Sequence, residues 1–151
     1  LTKGWNWLAA TRGNLITVSL DGAQVSIDHH GDVVTARQKG RELAARVGFS
    51  GSDLTIIATA ISEIARNIVV YAKRGEVTVA PLAEGSRRGI LVVARDSGPG
   101  IPNIEQAMRD GFSTGKSLGL GLPGARRLVD EFEISSQLGV GTTVTMRKWV
   151  R

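Results

Sequence analysis

The chain has 151 residues, 42% apolar and 22% charged, the size and balance of one globular domain with a sizeable core. It contains no cysteine, which excludes disulfides and thiolate metal centres, and no apolar run reaches membrane-spanning length. Nineteen basic and 14 acidic residues leave a net charge of +5, but the basic residues are scattered and only 5% of residues are aromatic; a nucleic-acid platform is not expected, nor a membrane partner, and the expected compartment is the cytoplasm.

Residues 1–14 show no periodicity and are expected to form an irregular leader before a single domain over residues 15–151. Trp5 and Trp7 are unusual in a free tail and suit docking on the body or on a partner. Residues 15–20 (LITVSL) and 23–27 (AQVSI) alternate as strands do, and Asp21-Gly22 between them predicts a hairpin. His29 and His30 fall at an element boundary, where a surface role is favoured over metal binding. Residues 32–47 predict an amphipathic helix with Val33, Ala36, Leu43 and Val47 inward and Gly48 as its stop. Ser52 or Asp53 is expected to cap a second helix over residues 54–72, whose apolar stripe is Ile57, Ala60, Ile61, Ile64 and Ile68.

Glu63 and Asn67 lie four apart on that helix and share one face, with Arg66 beside them. Each alone reads as a solvated surface residue. Together they suit a carboxylate that takes a proton and an amide oxygen that ligates Mg²⁺. Residues 76–81 (EVTVAP) and 90–94 (ILVVA) predict two strands of a hairpin around the turn at residues 85–89. The second ends in Asp96, from which residues 96–102 (DSGPGIP) turn away. An acid at a strand end before a glycine loop suits a donor-bearing ring such as adenine, with Gly98 and Gly100 leaving room for backbone to approach it.

Residues 104–108 predict a short helix and residues 111–117 (GFSTGKS) a mobile loop. That loop is not a Walker motif, because the glycine required at position 110 is Asp110. Gly119-x-Gly121 leads into a predicted helix over residues 125–132, with Leu128, Val129 and Phe132 inward. A helix start of this kind presents free N–H groups to phosphate. Strands are expected at residues 133–137 and 142–149 around a turn at residues 138–141.

Four of these stretches, in this order, resemble the motifs of the GHKL superfamily of ATPases and kinases. ISEIARNIVVYA is similar to its N box, DSGPGIP to its first glycine box, GKSLGLGLPG to its second, and GVGTTV to its terminal G-x-G-T element. Within that superfamily the chain is most similar to the serine/threonine kinases of bacterial partner-switching modules, of the stressosome switch-kinase type, over roughly residues 25–151. The resemblance implies an α/β (α+β) two-layer sandwich, a mixed β-sheet covered by helices on one face, with a Bergerat-type ATP site and a flexible ATP lid at residues 111–117. It implies ATP and Mg²⁺ as cofactors, Glu63 as general base, Asn67 as Mg²⁺ ligand, and Asp96 as acceptor of the adenine amino group. Gly98 and Gly100 would shape the adenine end, Gly119 and Gly121 would bring N–H groups to the phosphates, Thr142 would stand near the purine, and Lys116 would reach the γ-phosphate. Arg66 has no counterpart in many superfamily members.

By the same resemblance the substrates are STAS-domain proteins of the stressosome, phosphorylated on Ser or Thr. Once released, the kinase would activate a PPM-type phosphatase. The rivals are an anti-sigma factor kinase that binds a sigma factor directly, and a non-catalytic ATP-dependent binding module. A DNA-binding module is left without a helix-turn-helix pattern to support it.

Overall fold

The computed structural model describes residues 5–11, 14–109 and 121–151. Six strands pair in the order β1 (Trp5–Thr11), β2 (Asn14–Ser19), β4 (Gly75–Glu84), β5 (Arg87–Asp96), β7 (Gly141–Trp149), β6 (Glu131–Gln137), and β3 (Ala23–Ile27) also pairs with β4. All these pairings are antiparallel. One face is covered by helices α1 (His30–Val47) and α2 (Ser52–Asn67). This is the two-layer α+β arrangement expected.

Strand periodicity builds the core. Side chains two apart share a face, and register aligns two apolar rows across the sheet. One is Val25, Val77, Ala94, Val144, Ile134; the next is Ala23, Val79, Val92, Met146, Phe132. Both rows pack against the stripe Ile57, Ala60, Ile61, Ile64 and Ile68. The 21-residue helical stretch Ser52–Ala72 is long and apolar enough to cross a membrane by composition alone, but that stripe is buried against the sheet, as in a core helix. Gly40 of α1 faces Ile61 of α2, where a Cβ would force the tip of the Ile61 side chain to move. On the other face of the sheet Ile16, Leu82, Leu91 and Trp149 form a smaller cluster, with the Arg87 guanidinium 4.1 Å above the Trp149 ring.

Several expectations are corrected. β2 and β3 do not form a hairpin; they lie end to end along one edge of β4, Val18 opposite Leu82 and Ala23 opposite Val79. Gly22 is needed for contact, not for a turn, since a Cβ there would strike the Val79 carbonyl oxygen. Trp5–Thr11, expected to be irregular, pairs with β2 from Trp5↔Ser19 to Thr11↔Asn14, using backbone groups that an unpaired edge would leave open.

α1 starts two residues early, capped by His29, whose Nδ1 accepts from the Gly31 N–H. The backbone before α2 is capped at Gly51, with no side-chain bond from Ser52 or Asp53. After Asn67 the helix widens into a π-helical turn, Ile68–Ala72, closed by Lys73 with φ 75°. The last helix is α4 (Gly121–Leu128), so Phe132 belongs to β6, opposite Met146. The short helix α3 is Ile104–Ala107.

Candidate functional site

The apolar rows end in a polar one. Two residues beyond Ala94, Val144 and Ile134 on the same face stand Asp96, Thr142 and Ser136, aligned across β5, β7 and β6. This row meets the C-terminal end of α2 and the start of α4 around a cavity of about 360 Å³, within the size range of small-molecule sites. Ile68, Ala94, Ile101, Leu122 and Val144 form much of its apolar wall.

Six of the nine predicted site residues line this one cavity: Glu63, Asn67, Asp96, Gly100, Gly121 and Thr142. Gly98 stands beside it rather than on its wall, packed so closely on the π-turn that a Cβ would lie 2.6 Å from the Ala72 Cβ. Lys116 and Gly119, and the expected lid at residues 111–117, lie outside the described residues.

Glu63 is 4% exposed, so the expectation of a solvated side chain fails for it. A buried carboxylate requires compensation, and both of its oxygens have a partner. Arg66 Nη1 lies 3.0 Å from Oε2, and the Gly121 N–H donates to Oε1 at 3.1 Å. Arg66 itself lines the cavity. Asn67 follows at the junction of α2 and the π-turn, one helical turn from Glu63 on the same wall.

At the other end Asp96 is fixed through a single oxygen. Its Oδ1 accepts from the Gly98 N–H at 2.9 Å and from the Thr142 N–H at 3.3 Å, which leaves Oδ2 for a ligand. The glycine loop is tied to the β6–β7 turn by the Gly139 N–H donating to the Pro99 carbonyl at 3.0 Å. It approaches β6 so closely that a Cβ at Gly100 would lie 2.6 Å from the Gln137 carbonyl oxygen. Sequence reasoning missed Ser136, which joins this row, and Tyr71, which lines the cavity from the π-turn. Only the pairing of β6 with β7 reveals the first, and only the widened turn the second.

The arrangement fits a nucleotide. It offers an acceptor and a nearby hydroxyl at one end, an apolar wall between, and an amide, a carboxylate and a helix-start N–H at the other. Among the described residues there is no cluster of three or more His, Cys, Asp or Glu able to hold a metal ion. Asn67, on the cavity wall, carries an amide oxygen of the kind that Mg²⁺ can take together with oxygens of its ligand.

Residues 28–148 match the histidine kinase-like ATPase domain family. The chain is 47% identical over 131 residues to Serine/threonine-protein kinase RsbT of Bacillus subtilis (strain 168), covering 87% of this chain and 98% of that protein. It is also 31% identical over 121 residues to the anti-sigma F factor of Thermoanaerobacter sp. (strain X514), covering 76% and 83%. The same identity and coverage relate it to the anti-sigma F factor of Caldanaerobacter subterraneus subsp. tengcongensis. With its motifs in order and its cavity at the end of the sheet, the chain belongs to the histidine kinase-like ATPase domain family, and within it to the family of the serine/threonine-protein kinase RsbT.

Proposed function

We propose that this protein is an ATP- and Mg²⁺-dependent serine/threonine kinase of a partner-switching module, acting on STAS-domain proteins of the stressosome and, once released from them, activating a PPM-type phosphatase. The observation that carries the kinase chemistry is the shared wall of Glu63 and Asn67, one turn apart, facing the cavity that Asp96 closes at its far end. Bound MgATP supplies the phosphoryl group and the charge that neutralises it in transfer.

The chain's own residues do the rest. Asp96 Oδ2 accepts from an amino group on the base, because Oδ1 is already engaged. Asn67 offers its carbonyl oxygen to the cation. Glu63 takes the proton of the substrate hydroxyl, which must come within hydrogen-bond reach of the carboxylate, and Arg66 compensates the buried negative charge. The likeness to RsbT over nearly its whole length supports the choice of a protein hydroxyl as acceptor.

The test is transfer of labelled phosphate from ATP to a purified STAS-domain protein, followed by mass spectrometry of the acceptor. Glu63→Gln keeps the size, accepts from only one of the Arg66 and Gly121 donors and cannot serve as base, so transfer should fall by roughly 10²–10⁴-fold while calorimetry still shows nucleotide binding. Asn67→Ala should instead lose the Mg²⁺-dependent part of the binding heat. Full transfer by Glu63→Gln would remove the base assignment. A second reading, a kinase that also holds a sigma factor, draws support from the anti-sigma F relatives; it predicts that a sigma factor, not a STAS scaffold, co-purifies with the chain.

A further inference from the structure

Arg66 lies between Glu63 and Asn67 on α2, and neutralising Glu63 does not by itself require it to reach the cavity. Yet it is part of the cavity wall. Among the described residues it is the one cationic side chain there, while Glu63 and Asp96 are the acids. Asp96 stands at the far end, so beside Glu63 a single guanidinium offsets a single carboxylate. A guanidinium carries five N–H donors in a planar fork. This fork meets Glu63 through one contact, Nη1 to Oε2 at 3.0 Å, and the side chain keeps 28% of its surface exposed. Most of its donors are not spent on the pair.

We propose that Arg66 binds the terminal phosphate of the nucleotide, bridging that phosphate and Glu63 with two parts of one fork, and so selects a nucleoside triphosphate over a diphosphate. The role depends on the nucleotide reading above, with Glu63 as base. A base takes its proton from the hydroxyl that attacks the phosphoryl group, so the carboxylate and the terminal phosphate stand within one hydroxyl of each other. Two anions that close repel strongly where water is scarce. Arg66 is already bonded to the first, and its remaining N–H groups can donate to the oxygens of the second. A diphosphate ends short of this position and leaves the fork with Glu63 alone. Lysine is not equivalent here: an ammonium keeps the charge but not the planar, two-sided donor geometry.

The experiment is calorimetric titration of the full chain with ADP and with the non-hydrolysable β,γ-imido analogue of ATP, each with Mg²⁺. It compares the wild type with Arg66→Met, Arg66→Lys, Glu63→Gln and the Glu63→Gln/Arg66→Met double variant, with a urea midpoint for each. Arg66→Met should lose roughly 10–100-fold in affinity for the analogue, the worth of a hydrogen bond to a charged group, and less than about threefold for ADP. Arg66→Lys should recover part of the urea midpoint but not the affinity for the analogue; a purely structural counterion would recover both. If Arg66→Met fails to fold, the lysine variant carries the comparison. The double variant separates contact from screening. In Glu63→Gln the repulsion is already gone, so a screening role predicts no further loss on adding Arg66→Met, whereas contact predicts the same selective loss. Equal losses for both nucleotides, full analogue affinity in Arg66→Lys, or no loss in the Glu63→Gln background would overturn the proposal. Failure of the wild type to bind either nucleotide would overturn the nucleotide reading, and this inference with it.

Discussion

Glu63 is a carboxylate that the fold buries almost completely and then satisfies on both sides, by Arg66 on its own helix and by the backbone of α4. Removing one member of a buried pair leaves the other uncompensated, which costs more than the pair itself contributes. Arg66 keeps part of its side chain in water, which softens the loss. Arg66→Met should therefore destabilise the nucleotide-free protein by roughly 1–3 kcal/mol, read as a lower urea midpoint at unchanged slope. Arg66→Lys should recover part of it; a midpoint equal to the wild type in Arg66→Met would show the pair to be dispensable. The spacing of Glu63, Arg66 and Asn67 was visible in the sequence because a helix brings residues three and four apart together. That the carboxylate would be buried was not visible, since its burial depends on α4, which arrives from 58 residues further on.

At the scale of elements, the helices and most strands were legible from their apolar periods, whereas the departures come from contacts that no local pattern encodes. Asp21-Gly22 has the composition of a hairpin, yet β4 offers one long edge on which β2 and β3 can both pair, and Gly22 is selected by that close approach. Ser136 falls within a predicted strand, but only register sets it opposite Thr142. The π-turn preserves the apolar stripe as far as Ile68, so nothing in the spacing announces it.

The start of α1 carries a testable charge effect. Asp32 accepts from the Asp28 and His29 N–H groups, and its carboxyl is held below the usual carboxylate range, chiefly by the Asp28 bond, with the His29 bond and charge assisting and desolvation opposing. A depressed folded-state value means that the ionised form favours the folded chain. This contribution is complete above the unfolded carboxylate value and disappears as pH falls through the lower, folded one. Asp32→Asn should accordingly flatten the acid limb of the stability profile in that window, and an NMR titration of Asp32 should show a midpoint below that of an exposed aspartate. A midpoint at the ordinary value would refute the capping account.

For the whole molecule, the cavity is the meeting point of α2, β5, β7, the glycine loop and α4. A ligand bound there contacts segments from both halves of the sequence, so binding is linked to global unfolding. At a hundredfold excess over its dissociation constant, a ligand of the native state adds about 2.7 kcal/mol, which for a domain of this size is a rise of about 5–10 °C in melting temperature. MgADP should produce a shift of that order in the wild type, and Asn67→Ala should lose its Mg²⁺-dependent part. No shift at saturating nucleotide would remove the site assignment.

The hydrogen bond from the Gly121 N–H to Glu63 Oε1 has a kinetic corollary. One amide proton serves one anion well. While that proton is claimed by the carboxylate, a phosphate oxygen approaching the head of α4 meets a competitor belonging to the protein itself. Occupation by phosphate and liberation of the glutamate oxygen then become a single exchange, and on departure of the spent nucleotide the side chain can reclaim its donor. In the proposed kinase such a toggle would keep the base masked between turnovers and expose it only when there is a phosphoryl group to pass on.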